Sequence, residues 1–208
     1  VLTIHNLVAS NVNTILKVSE ADGLRSTELE KLRSAVREKV DRVEYNINVG
    51  APSVSLVSFV DSRFVPVGER LLAQARQFDC IGKAAVLTER DLDAQFLGHF
   101  RAVLRKRVRG FGFYSWKPQV ITQSLRALPE GSLLVYVDGG SHLNSAGEGR
   151  FKDYLEKCHS SETGILAFQT DWIERNWIKG DLLDFFGVRG NPLVTETGQV
   201  QAGLLFIR

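Results

Sequence analysis

Leu133-Leu134-Val135-Tyr136-Val137-Asp138-Gly139-Gly140 is an unbroken run of five apolar residues closed by an acid and two glycines. Its reading decides the fold class. An apolar run of strand length without polar alternation describes a strand covered on both faces, as in a parallel or mixed sheet with helices packed on each side. Gly139-Gly140 ends it in a turn. Asp138 then stands at the strand's carboxyl end, where open α/β sheets form their ligand crevice.

Outward from that strand, apolar runs alternate with helical periodicities, the pattern of an α/β layer architecture. Strands are expected over 54–60, 83–87, 132–137, 164–168 and 200–207, and helices over 68–78, 91–106, 116–128, 149–158 and 178–186. Ser115 is the expected N-cap of the third helix, which Pro129-Glu130-Gly131 stops. The first 52 residues read differently. Thr27 and Glu30 have capping-box spacing, and Leu29, Leu32, Val36, Val40 and Val43 recur every three or four positions, predicting one amphipathic helix over 27–44. Gly50-Ala51-Pro52 marks the boundary, so the expected organisation is a helical extension, 1–52, followed by an α/β domain, 53–208.

Composition bounds the function. The chain has 208 residues, 44% hydrophobic and 24% charged, ample for a single large core. Its 26 basic and 24 acidic residues nearly balance, which gives no reason to expect a nucleic-acid partner. Arg101, Arg105, Lys106, Arg107 and Arg109 form the one local excess of positive charge. Cys80 and Cys158 are far apart and lack C-x-x-C spacing, so neither a disulfide framework nor a zinc site is indicated, and a reducing, cytoplasmic location is expected. No apolar run approaches the ~20 residues that span a bilayer, so membrane association, if any, would be peripheral to the inner membrane.

Loops after different strands of such a sheet converge on one crevice, which brings three segments together. Asp61-Ser62-Arg63 follows the first strand, where an acid, a hydroxyl and a guanidinium can hydrogen-bond a nucleotide; the structural alternative is an Asp61–Arg63 pair or a helix cap. In Arg109-Gly110-Phe111-Gly112-Phe113-Tyr114-Ser115-Trp116-Lys117-Pro118, the glycines permit unusual backbone angles, and Arg109, Lys117 and the following helix start suit a diphosphate. The alternative for the aromatics is core or lid packing. Asp138, with His142 four residues on, is the candidate ligand set for Mn²⁺ or Mg²⁺, hard ions that bind oxygen and share it with substrate phosphates.

Tyr136-Val137-Asp138-Gly139-Gly140 resembles the strand and acidic motif of nucleotide-sugar glycosyltransferases of the GT-A fold. Gly112-Phe113-Tyr114-Ser115-Trp116-Lys117-Pro118 is similar to the G-Y-W-x-W-K-P stretch of bacterial members, and Gln201-Ala202-Gly203-Leu204-Leu205-Phe206 to the N-A-G-V-L-L strand of family-8 transferases. The resemblance covers residues 54–208. It implies a GT-A-like central mixed, mostly parallel sheet, a nucleoside-diphosphate sugar donor, and transfer to a glycan or other hydroxyl acceptor in polysaccharide biosynthesis. It places Trp116 with the donor-binding stretch, and Gln201, Ala202 and Gly203 against the donor sugar. Glu174 and Asp181, near Trp172 and Trp177, are the expected acids on the acceptor side, with Asp181 as general base. Two departures stand out. The usual Asp-x-Asp is Asp138-Gly139-Gly140, and family members continue past the final strand with further ligands, so part of the site is expected beyond residue 208. Rival readings are a GT-A-like binding module without turnover and a metal-dependent phosphatase or nucleotide hydrolase.

Overall fold

The computed structural model describes residues 53–208; the helix expected over 27–44 lies outside the described residues. The chain is α/β, with a five-stranded mixed sheet flanked by helices. Strand order is β2-β1-β3-β5-β4, with β1 Val54–Phe59, β2 Lys83–Leu87, β3 Leu133–Val137, β4 Ile165–Ile173 and β5 Gly198–Ile207. Residues 53–161 with 202–208 form one compact unit and residues 162–201 another.

In the larger unit β1 is parallel to β2, with Ser55 opposite Lys83, and to β3, with Val54 opposite Leu133. β3 runs antiparallel to β5, with Val135 opposite Phe206. All five β3 residues are buried, as an apolar run without alternation requires. Successive side chains leave a strand on opposite faces. Val57 and Phe59 of β1 join Leu134 and Tyr136 of β3 in one core cluster with Trp116 and Val120, which belong to helix α3, Trp116–Arg126. On the other face Phe206 packs against Phe151, with ring centroids 5.2 Å apart. Phe151 lies on α4, Glu148–Ser160, and touches Phe78, at 5.3 Å, just beyond α1, Val65–Ala75.

The helix expected over 91–106 is shorter. α2 spans Ala94–Phe100, its first turn capped by the Asp93 carboxylate, which accepts from Phe96 N at 3.0 Å. Continuing it would set Arg101 and Arg105 one turn apart as like charges. Instead the chain turns, Leu104 packs against the aromatic core, and Arg105, Lys106 and Arg107 stay exposed. Ser115 does precede α3, but its side chain makes no capping bond and its hydroxyl is buried without a partner among the described residues.

In the smaller unit β4 runs five residues past the expected end at Phe168. The polar residues that hide the extension to sequence reading are the ones that pair: Gln169 Nε2 donates to Gly198 O at 2.8 Å and Thr170 Oγ1 to Gln199 O at 3.3 Å. The expected helix over 178–186 is observed as Gly180–Phe185. A one-turn helix, Pro192–Thr195, was not expected; Asn191 caps it by accepting from Leu193 N at 2.9 Å, and Pro192 supplies its first turn. Among the described residues no helix is long and apolar enough to cross a membrane.

Candidate functional site

The carboxyl ends of β1 and β3 open into a cleft of about 810 Å³ within the larger unit, a size suited to small-molecule or cofactor ligands. Its floor is aromatic. The Phe59 ring, at the end of β1, stacks on Trp116 at 4.0 Å between centroids and on Phe111 at 6.2 Å. Trp116 and Phe111 are each only 6% exposed, so these two are core residues whose edges reach the cleft wall, while Phe113 and Tyr114 are exposed.

One wall is a turn of opposite hand. Gly110, Phe111, Gly112, Phe113 and Tyr114 have φ of 58°, 49°, 93°, 56° and 62°, a run of five residues in the left-handed region. Each non-glycine there costs ~1–2 kcal/mol, so the surroundings must hold the turn in place. Trp116 Nε1 donates to Gly110 O at 2.8 Å, and Phe111 is anchored in the core. Gly112 cannot be replaced cheaply: besides its φ, a Cβ would stand 3.1 Å from Val103 O.

Cations dominate the rim. Arg63, Arg70, Lys106, Arg107 and Arg109 line the cleft against two carboxylates, Asp61 and Asp138. Asp61 is already engaged. Its Oδ1 and Oδ2 each accept from the Arg63 guanidinium at 2.8 Å, the bidentate geometry that makes such pairs strong. The structural alternative read for Asp61 is thus the observed one, and its consequence is to aim Arg63. Ser62 donates its backbone N–H to Glu89 at 2.9 Å and does not line the cleft.

The Arg63 guanidinium holds the Asp61 carboxyl below its ordinary value of 3.8. A carboxyl that binds its proton less tightly in the native state stabilises the fold above that ordinary value and loses the contribution as pH falls through the lowered one. Asp61→Asn should therefore flatten the acid limb of a plot of denaturation midpoint against pH below about 4. Identical limbs in the two proteins would show that the pair adds nothing.

Asp138 lies at the head of a tight network. Its Oδ1 accepts from Tyr136 Oη at 2.7 Å and from Lys117 Nζ at 2.8 Å. The Tyr136 hydroxyl stays protonated because burial, and then the Asp138 carboxylate it donates to, raise its pKa. Lys117 Nζ also donates to Ala202 O at 3.0 Å and lies 5.1 Å above the Tyr136 ring. Asp138 N donates to Gly203 O at 2.8 Å. Four positions singled out in sequence, Lys117, Asp138, Ala202 and Gly203, therefore meet at one point although they come from three separate segments.

The glycine after Asp138 is required by close approach. A Cβ on Gly139 would fall 2.6 Å from Val60 Cγ1 and 3.1 Å from Phe59 O. Arg70 fastens the rest of this turn, with Nη2 donating to Gly139 O at 3.2 Å and Ser141 O at 2.8 Å. Its Nη1 lies 2.8 Å from His142 Nε2. Guanidinium nitrogens only donate, so Nε2 accepts in the tautomer whose proton is on Nδ1, the ring nitrogen 3.4 Å from Gln74 Nε2. Sequence reasoning did not find Arg70, because it sits on a helix with no motif around it. Lys106 and Arg107 were visible only as members of a basic cluster.

The acids expected on the acceptor side, Glu174 and Asp181, and the amide Gln201 belong to the smaller unit. Glu174 Oε2 accepts from Val200 N at 3.3 Å. Asp181 lies in the first turn of Gly180–Phe185 and pairs with Lys179 at 2.8 Å; the hydrogen bond from Lys179 lowers its pKa. Trp172 and Trp177 stack at 4.6 Å with 16° between their planes, both more than half exposed. Gln201 is exposed.

Among the described residues no three His, Cys, Asp or Glu side chains gather as a metal would need. Of the two expected ligands, Asp138 pairs through Oδ1 with Lys117, and His142 Nε2 lies beside Arg70 Nη1. No protein-family model, curated protein or solved structure matches the chain.

Proposed function

We propose that the cleft binds a nucleoside-diphosphate sugar and that the protein is a GT-A-like glycosyltransferase acting on a glycan or other hydroxyl acceptor. The observation that carries this reading is the state of the rim: among the described residues no ion pair engages Lys106, Arg107 or Arg109, and all three line the cleft. Unpaired cations held around an aromatic-floored cleft suit a ligand with several negative charges and a planar base, since rings stack on base faces and guanidinium forks match phosphate oxygens. The GT-A comparison is supported by β5, which delivers Ala202 and Gly203 to Lys117 and Asp138.

In this reading Arg109, Lys106 and Arg107 take the diphosphate, Arg63 is aimed by Asp61 toward the nucleotide, and the aromatic wall shields the base. Cations fixed before reaction neutralise the charge that develops on the departing diphosphate, without reorganisation at that moment. Glu174 and Asp181 remain the proposed acceptor-side acids. A second reading is a module that binds the nucleotide sugar without turnover; it is favoured by Asp138-Gly139-Gly140, which lacks the second carboxylate of the resembled Asp-x-Asp motif.

A thermal-shift panel of UDP-, GDP- and CMP-sugars followed by turnover assays tests this. One donor class should stabilise the protein, by about 2.7 kcal/mol at a hundredfold excess over its Kd, and should release nucleoside diphosphate with a glycosylated product. Binding without product supports the module, phosphate release without sugar transfer supports a hydrolase, and no shift with any donor removes the proposal.

A further inference from the structure

We infer that Arg63 reads the nucleobase and that the base it selects is guanine, so that the donor is a guanosine-diphosphate sugar; the inference rests on the nucleotide-sugar reading above. A guanidinium carries its N–H donors in one plane, in a rigid fork geometry that matches paired acceptors. Asp61 takes one edge of the plane, accepting from Nε and from Nη2 at 2.8 Å each. The outer edge, Nη1 with the second N–H of Nη2, makes no hydrogen bond among the described residues. Two neighbours hold it still. Asp61 is buried and cannot follow a swinging side chain, and the guanidinium carbon stands 5.6 Å from the centroid of the Phe64 ring, within cation–π range. Arg63, Asp61 and Phe64 all line the cleft, and the Arg63 side chain is 45% exposed, so the outer edge is what a ligand in the cleft can meet.

Charge decides what that edge takes. The Asp61 carboxylate already balances Arg63, and the Glu89 carboxylate adds to the negative field around the guanidinium. Arg107 and Arg109 line the same cleft without an ion pair among the described residues. A phosphate gains more beside those two than beside two carboxylates, which leaves Arg63 for a neutral group with paired acceptors. Guanine presents such a pair, O6 and N7, on one edge. The same edge of adenine carries an acceptor and a donor, that of cytosine a donor, and O4 of a uracil-type base stands alone. The other neighbouring acceptors, N3 and O2 of cytosine, lie beside the glycosidic bond, which makes the cytidine nucleotide the stringent competitor.

Calorimetric titration of the whole chain in Mn²⁺-containing buffer with GDP, UDP, CDP, ADP, inosine diphosphate and 7-deaza-GDP decides the matter. GDP should bind about tenfold or more tighter than UDP, CDP or ADP, the discrimination that one bidentate base contact gives. Inosine diphosphate keeps O6 and N7 and lacks the guanine amino group, so it should bind within about threefold of GDP. In 7-deaza-GDP a C–H replaces N7, and binding should weaken by about tenfold. Arg63→Lys keeps the charge but loses the fork, and should bring GDP, UDP, CDP and ADP within about threefold of one another. A native chain that prefers UDP, CDP or ADP, or that binds 7-deaza-GDP as tightly as GDP, would overturn the inference and leave the nucleotide-sugar reading standing. Equal weakening of all the diphosphates in Arg63→Lys would show the arginine on phosphate and also overturn it. Failure of every nucleoside diphosphate with the native chain would remove the reading and the inference together. The analogues are compared on the native chain, so they decide even if the Arg63 variant does not fold.

Discussion

Trp116→Ala should lower the unfolding free energy by about 3–5 kcal/mol, the usual cost of emptying a large aromatic site in a core. Three contributions are lost together. The ring is 6% exposed and stacks on Phe59 at 4.0 Å, so its removal leaves a cavity between β1 and α3. Its indole N–H no longer reaches Gly110 O, which leaves the left-handed turn without its main tether. The turn's three non-glycine residues then have less to offset their backbone strain, and the cleft wall they form should loosen. Chemical denaturation followed by circular dichroism measures the first effect. Trp116→Phe separates the second, because it keeps most of the stack and removes the indole donor, a difference of about 1 kcal/mol. A loss below about 1 kcal/mol in Trp116→Ala would show that the ring is not what holds the wall.

Asp138→Ala should reduce nucleotide-sugar turnover by about a hundredfold or more, chiefly in kcat, because misplacing one charged group by an ångström has effects of that size. The carboxylate is the anchor that fixes Lys117 Nζ between Oδ1 and Ala202 O. Without it the ammonium keeps only Ala202 O, and the cleft loses the carboxylate that stands beside the Gly139-Gly140 turn. The same substitution strands the Tyr136 hydroxyl, on a residue with no exposed surface, at a cost of about 1–3 kcal/mol. Combining Asp138→Ala with Tyr136→Phe should return that stability while turnover stays low. Native turnover in the single variant would show that Asp138 plays no part in the reaction.

The parts of this fold that were legible in sequence are those where one physical signal acts alone. β3 announced itself because burial on both faces leaves no polar position, and the strand-end acid followed from that. Lys117 and Asp138 were legible from a helix start and a strand end, whereas Ala202 and Gly203 stood out only by their resemblance to the family-8 strand, and nothing local placed the four together. The helix read over 91–106 failed where two signals conflicted: apolar spacing continued through Leu104, but like charges and the pull of the aromatic core ended the helix at Phe100. The extension of β4 was hidden because its partners are made by polar side chains. Arg70 was invisible for a different reason. Its importance arises from carbonyls seventy residues along the chain, and nothing near it in sequence records that distance.

The arrangement of β5 beside β3 has a consequence for biogenesis. Asp138 and Lys117 emerge from the ribosome well before Ala202 and Gly203, the residues whose carbonyls they bind. At ordinary elongation rates the interval is roughly 3 to 17 s, long compared with the time in which β1, β2 and β3 can pair. Before β5 is made, β1, β2 and β3 can pair as a parallel three-stranded sheet whose β3 edge and adjoining cleft wall wait for β5. Capture of β5 completes both in a single event, so this side of the cleft is finished only after residues 202 and 203 have been made, well after the core strands β1 and β3.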